Sequence, residues 1–247
     1  MSFVLSPTLS TPLLKVPLLL AHAVCTYHGM TPPRPLPPPE EQQRFENPDF
    51  ASRTMNVQVI LITASKWACC GFALAEAAAI TAQRFPSTTS DWVLSLLLPS
   101  TGASLRFTPL STAACALGIA GGLIRVWCHR TLGQYFTWSV SVQREHKLVT
   151  SGPYAIVRHP SYTAWTAMIL GNFALLLTEG SYFVEAGWLR RPFGKVLASA
   201  IVSYLSFVTV QLISRVPRED AVLRKQFGAE WKQWSRRTPY RLIPYIY

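Results

Sequence analysis

The chain has 247 residues, 49% of them hydrophobic and only 14% charged, with a mean hydropathy of +0.21. These proportions leave too few polar groups to cover a soluble globule and suit a chain that crosses a bilayer several times. Its formal charge of +11 comes from 23 Lys and Arg against 12 Asp and Glu. The charge falls in short stretches beside apolar runs, with no zinc finger, RNP motif or basic arm, so it reads as a topology signal and argues against nucleic acid as a partner.

A spanning helix needs about 20 mostly apolar residues, and five stretches approach that length. The first, 5–26, is interrupted by Pro12, Lys15 and Pro17. The second covers 55–80 and contains Lys66 and Glu76, which fit a bundle interior or a snorkelling position better than chemistry. Between them, 29–54 is a proline-rich, acidic linker expected to be extended, with no catalytic content of its own. The short apolar piece DWVLSLLLPS is too brief to span and suits the membrane interface. The third span, 108–128, carries Ala114, Gly118 and Gly122 four residues apart, and the fourth, 161–179, repeats the interval with Ala167 and Gly171. Small residues so spaced let helices approach closely in lipid. The fifth covers 195–214. The expected fold class is therefore an all-α polytopic membrane protein of about five transmembrane helices. An N-terminal region of helices, 1–128, precedes a catalytic region, 129–247.

Arg130, Arg144, Lys147 and Arg158, together with the strongly basic tail after 214, place those two segments on the cytoplasmic side. With five crossings the N-terminus then faces the lumen, although the basic WLRRPFGK connection opposes this orientation. The five cysteines (Cys25, Cys69, Cys70, Cys115, Cys128) lie in or beside apolar stretches without zinc-ligand spacing, and read as packing residues rather than metal ligands or disulfides. No G-x-G-x-x-G follows a strand, and no P-loop, H-E-x-x-H or G-x-S-x-G occurs.

The densest polar cluster is TSGPYAIVRHPSYTAW, 150–165. Gly152-Pro153 marks a turn, and His159-Pro160 marks a helix start, because proline loses nothing at the first helical position. The positive end of that helix would attract an anion. Taken alone, the same residues also fit a headgroup anchor in which Arg158 snorkels and Tyr154, Tyr162 and Trp165 sit at the interface. In the tail, Pro217 suggests a second helix start, and Leu223, Phe227, Trp231 and Trp234 form an apolar stripe expected to lie on or cap the membrane face. Arg215 and Glu219, four apart where the last span ends, could share a face of one helix.

Two stretches, LGQYFTWSVSVQREHKLVTSGPYAIVRHPSYTAW and SRVPREDAVLRKQFGAEWKQW, together resemble the isoprenylcysteine carboxyl methyltransferase family, over roughly 130–240. Members are membrane-embedded enzymes of the endoplasmic reticulum that use S-adenosyl-L-methionine. The resemblance implies a cytoplasm-facing pocket in a multi-pass membrane protein. It implies cofactor contacts from Gln143, His146, Lys147, Leu148 and Val149, from Tyr154, from His159, Pro160, Ser161 and Tyr162, and from Glu219. It further implies that Arg215 engages the substrate carboxylate, with Arg215 and Glu219 as catalytic pair and no metal. Asp220 stands where relatives carry a second Glu, and the gap from Gln143 to His146 is shorter than in some relatives. The implied activity is protein-S-isoprenylcysteine O-methyltransferase, acting on prenylated CaaX-type proteins after proteolysis, with the bilayer as the other partner. Two alternatives stand beside it: a phosphatidylethanolamine-type N-methyltransferase, and a non-catalytic membrane scaffold that keeps the pocket.

Overall fold

A computed structural model describes residues 12–33, 54–98, 104–136 and 147–247. Among them the regular structure is entirely helical. Four of the described helices are long and apolar enough to cross a membrane, within Asn56–Arg84, Pro109–Tyr135, Pro160–Glu185 and Pro192–Arg237. The chain is an all-α polytopic membrane protein.

The expected first span is helical over α1, Lys15–Met30, after a 3-10 turn at Pro12–Leu14. Its sixteen residues extend only about 24 Å, short of a full hydrocarbon core. Pro17 falls in the first turn, where a missing N–H leaves no helical bond unmade. Helix α2, Met55–Arg84, is 30 residues long. It is followed by α3, Thr88–Leu97, capped by the Ser87 hydroxyl accepting from the Ser90 amide at 3.1 Å. Trp92 and Leu96 on α3 are exposed, as expected of a piece too short to span.

Helix α4, Pro109–Leu132, opens on a reciprocal cap between Thr108 and Ser111, with Pro109 in the first turn. Its glycines let neighbours touch its backbone. A methyl group on Gly122 would lie 2.5 Å from the Cys25 carbonyl oxygen of α1, and one on Gly118 would strike the His22 ring at 2.1 Å. Helix α5, Pro160–Leu177, starts at the expected proline, and its pairing with α4 is the most extensive in the molecule. After the short α6, Tyr182–Glu185, comes α7, Pro192–Arg237.

Two expectations change at α7. Pro217 does not begin a new helix; it lies inside a 46-residue run, and the break comes at Gly228, with φ 50° and ψ −108°. Pro217 removes one amide from the helical ladder, and the helix carries on through it. Nor does the aromatic stripe simply lie on a membrane. Leu223, Trp231 and Trp234 pack against Tyr154, Leu148 and Val149, and the Trp234 indole donates to the Tyr154 carbonyl at 3.1 Å.

Contacts fix the helix directions. Gly29 at the end of α1 meets Arg125 near the end of α4, which meets Ser161 at the start of α5. The Tyr204 hydroxyl of α7 donates to the Gln58 carbonyl near the start of α2 at 3.0 Å. One end of the bundle therefore gathers the end of α1, the start of α2, the end of α4, the start of α5 and the later half of α7. The opposite end is tied by Lys15, wholly buried and ion-paired with Glu76. Lys15 also donates to the Arg106 carbonyl, and Glu76 accepts from the Tyr182 amide, at 3.1 and 3.0 Å. Lys66 donates to the Thr31 hydroxyl at 2.9 Å and lies over the Tyr27 ring. Of the two positions the sequence left open for Lys66 and Glu76, both take the bundle interior.

Candidate active site

At the gathered end is a cavity of about 260 Å³. Its floor and one wall come from the 150–165 cluster. The chain has no regular structure over 147–150, makes a single 3-10 turn at Gly152–Ala155, and enters α5 at Pro160. Gly152 holds φ +59°, and a methyl group there would also press on Thr131, so this turn favours glycine. Tyr154, Arg158, His159 and Trp165 are all buried, and the Trp165 indole donates to the Thr209 hydroxyl of α7 at 3.0 Å. The headgroup-anchor alternative therefore fails: these side chains point into protein. Burial pushes the Tyr154 phenol well above its usual pKa, with the Cys128 thiol beside it adding to the effect.

His159 sits between two carboxylates. Its Nδ1 is 3.3 Å from a Glu219 oxygen and its Nε2 is 3.1 Å from an Asp220 oxygen. A neutral imidazole could satisfy only one acceptor, since its other nitrogen would present a lone pair. Burial alone would lower the His159 pKa, but the hydrogen bonds to Asp220 and Glu219 and their charges outweigh it, and the net shift is upward. The second Glu219 oxygen accepts from the Tyr162 hydroxyl, whose ring is stacked on His159 at 9° and 5.8 Å.

Glu219 and Asp220 separate although adjacent. Successive helical residues point about 100° apart, so Glu219 lines the cavity while Asp220 is buried behind it. Asp220 accepts from His159, lies 3.2 Å from Arg158 and accepts from Arg241 at 3.1 Å. Burial lowers the Arg158 pKa and the Asp220 charge opposes that shift. The C-terminal residues strap this cluster: the amides of Arg158 and His159 donate to the carbonyls of Tyr240 and Arg241, at 2.9 and 2.8 Å. Because α7 runs on through Pro217, Arg215 and Glu219 remain on one face and both line the cavity.

Of the residues singled out in the sequence, Leu148, Val149, Tyr154, His159, Ser161, Tyr162, Arg215 and Glu219 border this one space. Pro160 is buried beneath it as the helix start, and Lys147 is exposed outside it. Gln143 and His146 lie outside the described residues. Sequence reasoning passed over Arg125, which lines the cavity from α4, and Arg241, which completes the Asp220 cluster. Arg125 carried a legible signal, a charge inside an apolar run. Arg241 carried none: it is one cation in a basic tail. The remaining wall is mainly apolar, with Val59 and Ile62 from α2 and Val208 and Leu212 from α7, beside Gln58 and Gln211.

The chemistry such a space offers is charge recognition at its polar end beside room for a hydrocarbon. Residues 114–185, from α4 to α6, match the sequence model of the Isoprenylcysteine carboxyl methyltransferase (ICMT) family. The chain is similar to protein-S-isoprenylcysteine O-methyltransferase B of Arabidopsis thaliana, 29% identical over 56% of this chain and 60% of the relative. It is also similar to the protein-S-isoprenylcysteine O-methyltransferase of Schizosaccharomyces pombe, 28% identical over 58% and 54% of the two chains. A probable 7-dehydrocholesterol reductase of Acanthamoeba polyphaga mimivirus is 29% identical over 43% of this chain, but over only 20% of its own length. The match thus spans six-tenths or less of these relatives. No solved structure matches. The family-model match contains the first motif and ends before the second, and the resemblance to this family is shared by the methyltransferase relatives.

Proposed function

We propose that the chain is an S-adenosyl-L-methionine-dependent carboxyl methyltransferase, acting on the C-terminal isoprenylcysteine of prenylated proteins after CaaX proteolysis. The observation that carries this reading is the convergence of Arg215, Glu219 and Tyr162 on one cavity that also has an apolar wall. In this reading the protein resides in the endoplasmic reticulum membrane with the cavity facing the cytoplasm, the side to which the basic segments assign it.

The residues fit such a donor. Glu219, held by Tyr162 and His159, offers a fixed carboxylate to an ammonium, and Tyr154, Leu148 and Val149 supply an aromatic and apolar surface. When bound, the donor supplies an electrophilic methyl on its sulfonium. Arg215 would hold the acceptor carboxylate through a two-pronged contact that lysine cannot copy. That carboxylate is ionised at neutral pH, so no general base is needed. Alignment of the reactants at near-attack distance is the main contribution, worth up to about 7–11 kcal/mol. The apolar side of α2 and α7 would receive the prenyl chain. A chain drawn from lipid gains little further apolar transfer energy, so discrimination must come from the polar end.

Arginine at that end favours an anionic acceptor over a lipid amine. The test is transfer of labelled methyl from S-adenosylmethionine by the protein in liposomes containing both N-acetyl-S-farnesylcysteine and phosphatidylethanolamine. Base-labile label on the farnesylcysteine is expected. Base-stable label on the phospholipid would replace this reading with the N-methyltransferase, and no transfer at all would favour a scaffold.

A further inference from the structure

Arg125 has no task in the mechanism above, yet its position is costly. It lies in a membrane-crossing helix, where a guanidinium is expensive unless it meets a counter-charge or a polar pathway. Its Nε donates to the Gly29 carbonyl at 2.6 Å, and its Nη1 donates to the Ser161 carbonyl and hydroxyl at 3.1 and 2.8 Å. The guanidinium also rests 4.9 Å from the Trp165 ring centroid. Every one of these partners is neutral. Among the described residues no carboxylate stands within ion-pair distance of Arg125, whereas Arg158, on the same cavity, is matched by Asp220. The bonds to α1 and α5 fix the fork while Nη2 makes none with the described residues, and Arg125 lines the cavity.

We propose that Arg125 seats the carboxylate of a bound ligand, completing its charge balance only in the occupied protein. The proposal rests on the methyltransferase reading for the identity of that ligand, because the proposed reactants carry two carboxylates: the amino-acid end of the donor and the acceptor itself. Arg215 can neutralise one. The other requires a second cation, and Arg125 is already positioned, held by neutral groups and with no counter-charge among the described residues. The assignment explains why a half-buried cation stands at the cavity wall where a methionine or leucine would pack at lower cost.

The test uses the full chain in nanodiscs, as wild type, Arg125→Gln and Arg125→Lys. Each is titrated with three ligand pairs differing in a carboxylate: S-adenosylhomocysteine and its decarboxylated analogue, N-acetyl-S-farnesylcysteine and its methyl amide, and dodecanoate and dodecanol. The wild type is expected to prefer the acid by about ten- to a hundred-fold in at least one pair, as for a charged hydrogen bond. Arg125→Gln should abolish that preference in the same pair and melt no lower than wild type, while Arg125→Lys keeps part of it. The pair that responds identifies donor or acceptor as the source. Preferences in Arg125→Gln equal to wild type, or no preference in wild type, overturn the proposal. Should Arg125→Gln fail to fold, Arg125→Lys decides: a several-fold weaker preference supports the seat, and an unchanged one overturns it. If wild type binds neither of the first two acids but shows an Arg125-dependent preference for dodecanoate, the methyltransferase reading falls and the anion seat stands.

Discussion

His159, held between Glu219 and Asp220, sets the behaviour of the site at the scale of single residues. Its folded-state pKa is raised, so its charge stabilises the native state fully below the unfolded value of about 6.5. That contribution is lost as pH rises through the higher folded value. The melting temperature of wild type should therefore fall on the alkaline side of about pH 6.5, and His159→Gln should flatten that part of the profile. Asp220→Asn should be more damaging. It strips the counter-charge from Arg158 and His159 and should cost about 3–5 kcal/mol, as when one partner of a buried pair is removed. Denaturation of the two variants in the same detergent measures both effects. For Arg215, Arg215→Lys should keep the charge yet lose about ten-fold or more in transfer rate at limiting acceptor, with donor binding unchanged. Equal loss of donor binding would reassign the residue.

The elements were largely legible because apolar run length and proline placement act locally. Pro160 begins α5, and the small residues of α4 do mark its closest helix contacts. Pro217 misled for a physical reason. The same residue can begin a helix or lie inside one, and only tertiary context decides. The actual break, Gly228, looked like any other glycine in a polar stretch. Its positive φ is paired with open space around the position where a side chain would begin, so Gly228→Ala should cost only backbone strain, about 1–3 kcal/mol. A larger loss in thermal denaturation would mean that residues 229–237 depend on that turn for more than direction. Within the site, motif resemblance pointed to Tyr162 and Glu219, but not to the separation of Glu219 from Asp220 or to Arg241, which depend on how the C-terminal residues fold back over α5.

Across the whole molecule, buried charge is divided between two ends. The Lys15–Glu76 pair ties α1, α2 and α6 together at the end away from the cavity. Either Lys15→Met or Glu76→Leu should destabilise strongly by stranding its partner, and the double substitution should recover much of that loss. Acceptor KM should not move in any of the three. The opposite end concentrates Arg125, Arg158, His159, Arg215, Glu219 and Asp220 around one space, and the functional account stands on that space holding a methyl donor. The most direct measurement is retention of labelled S-adenosylhomocysteine by purified protein in nanodiscs, comparing wild type with Glu219→Gln and Ser161→Trp, the second filling the cavity. Saturable retention by wild type, about ten-fold weaker in Glu219→Gln and absent in Ser161→Trp, is the expected result. Retention that Ser161→Trp leaves untouched, or none by a folded wild type, contradicts the account.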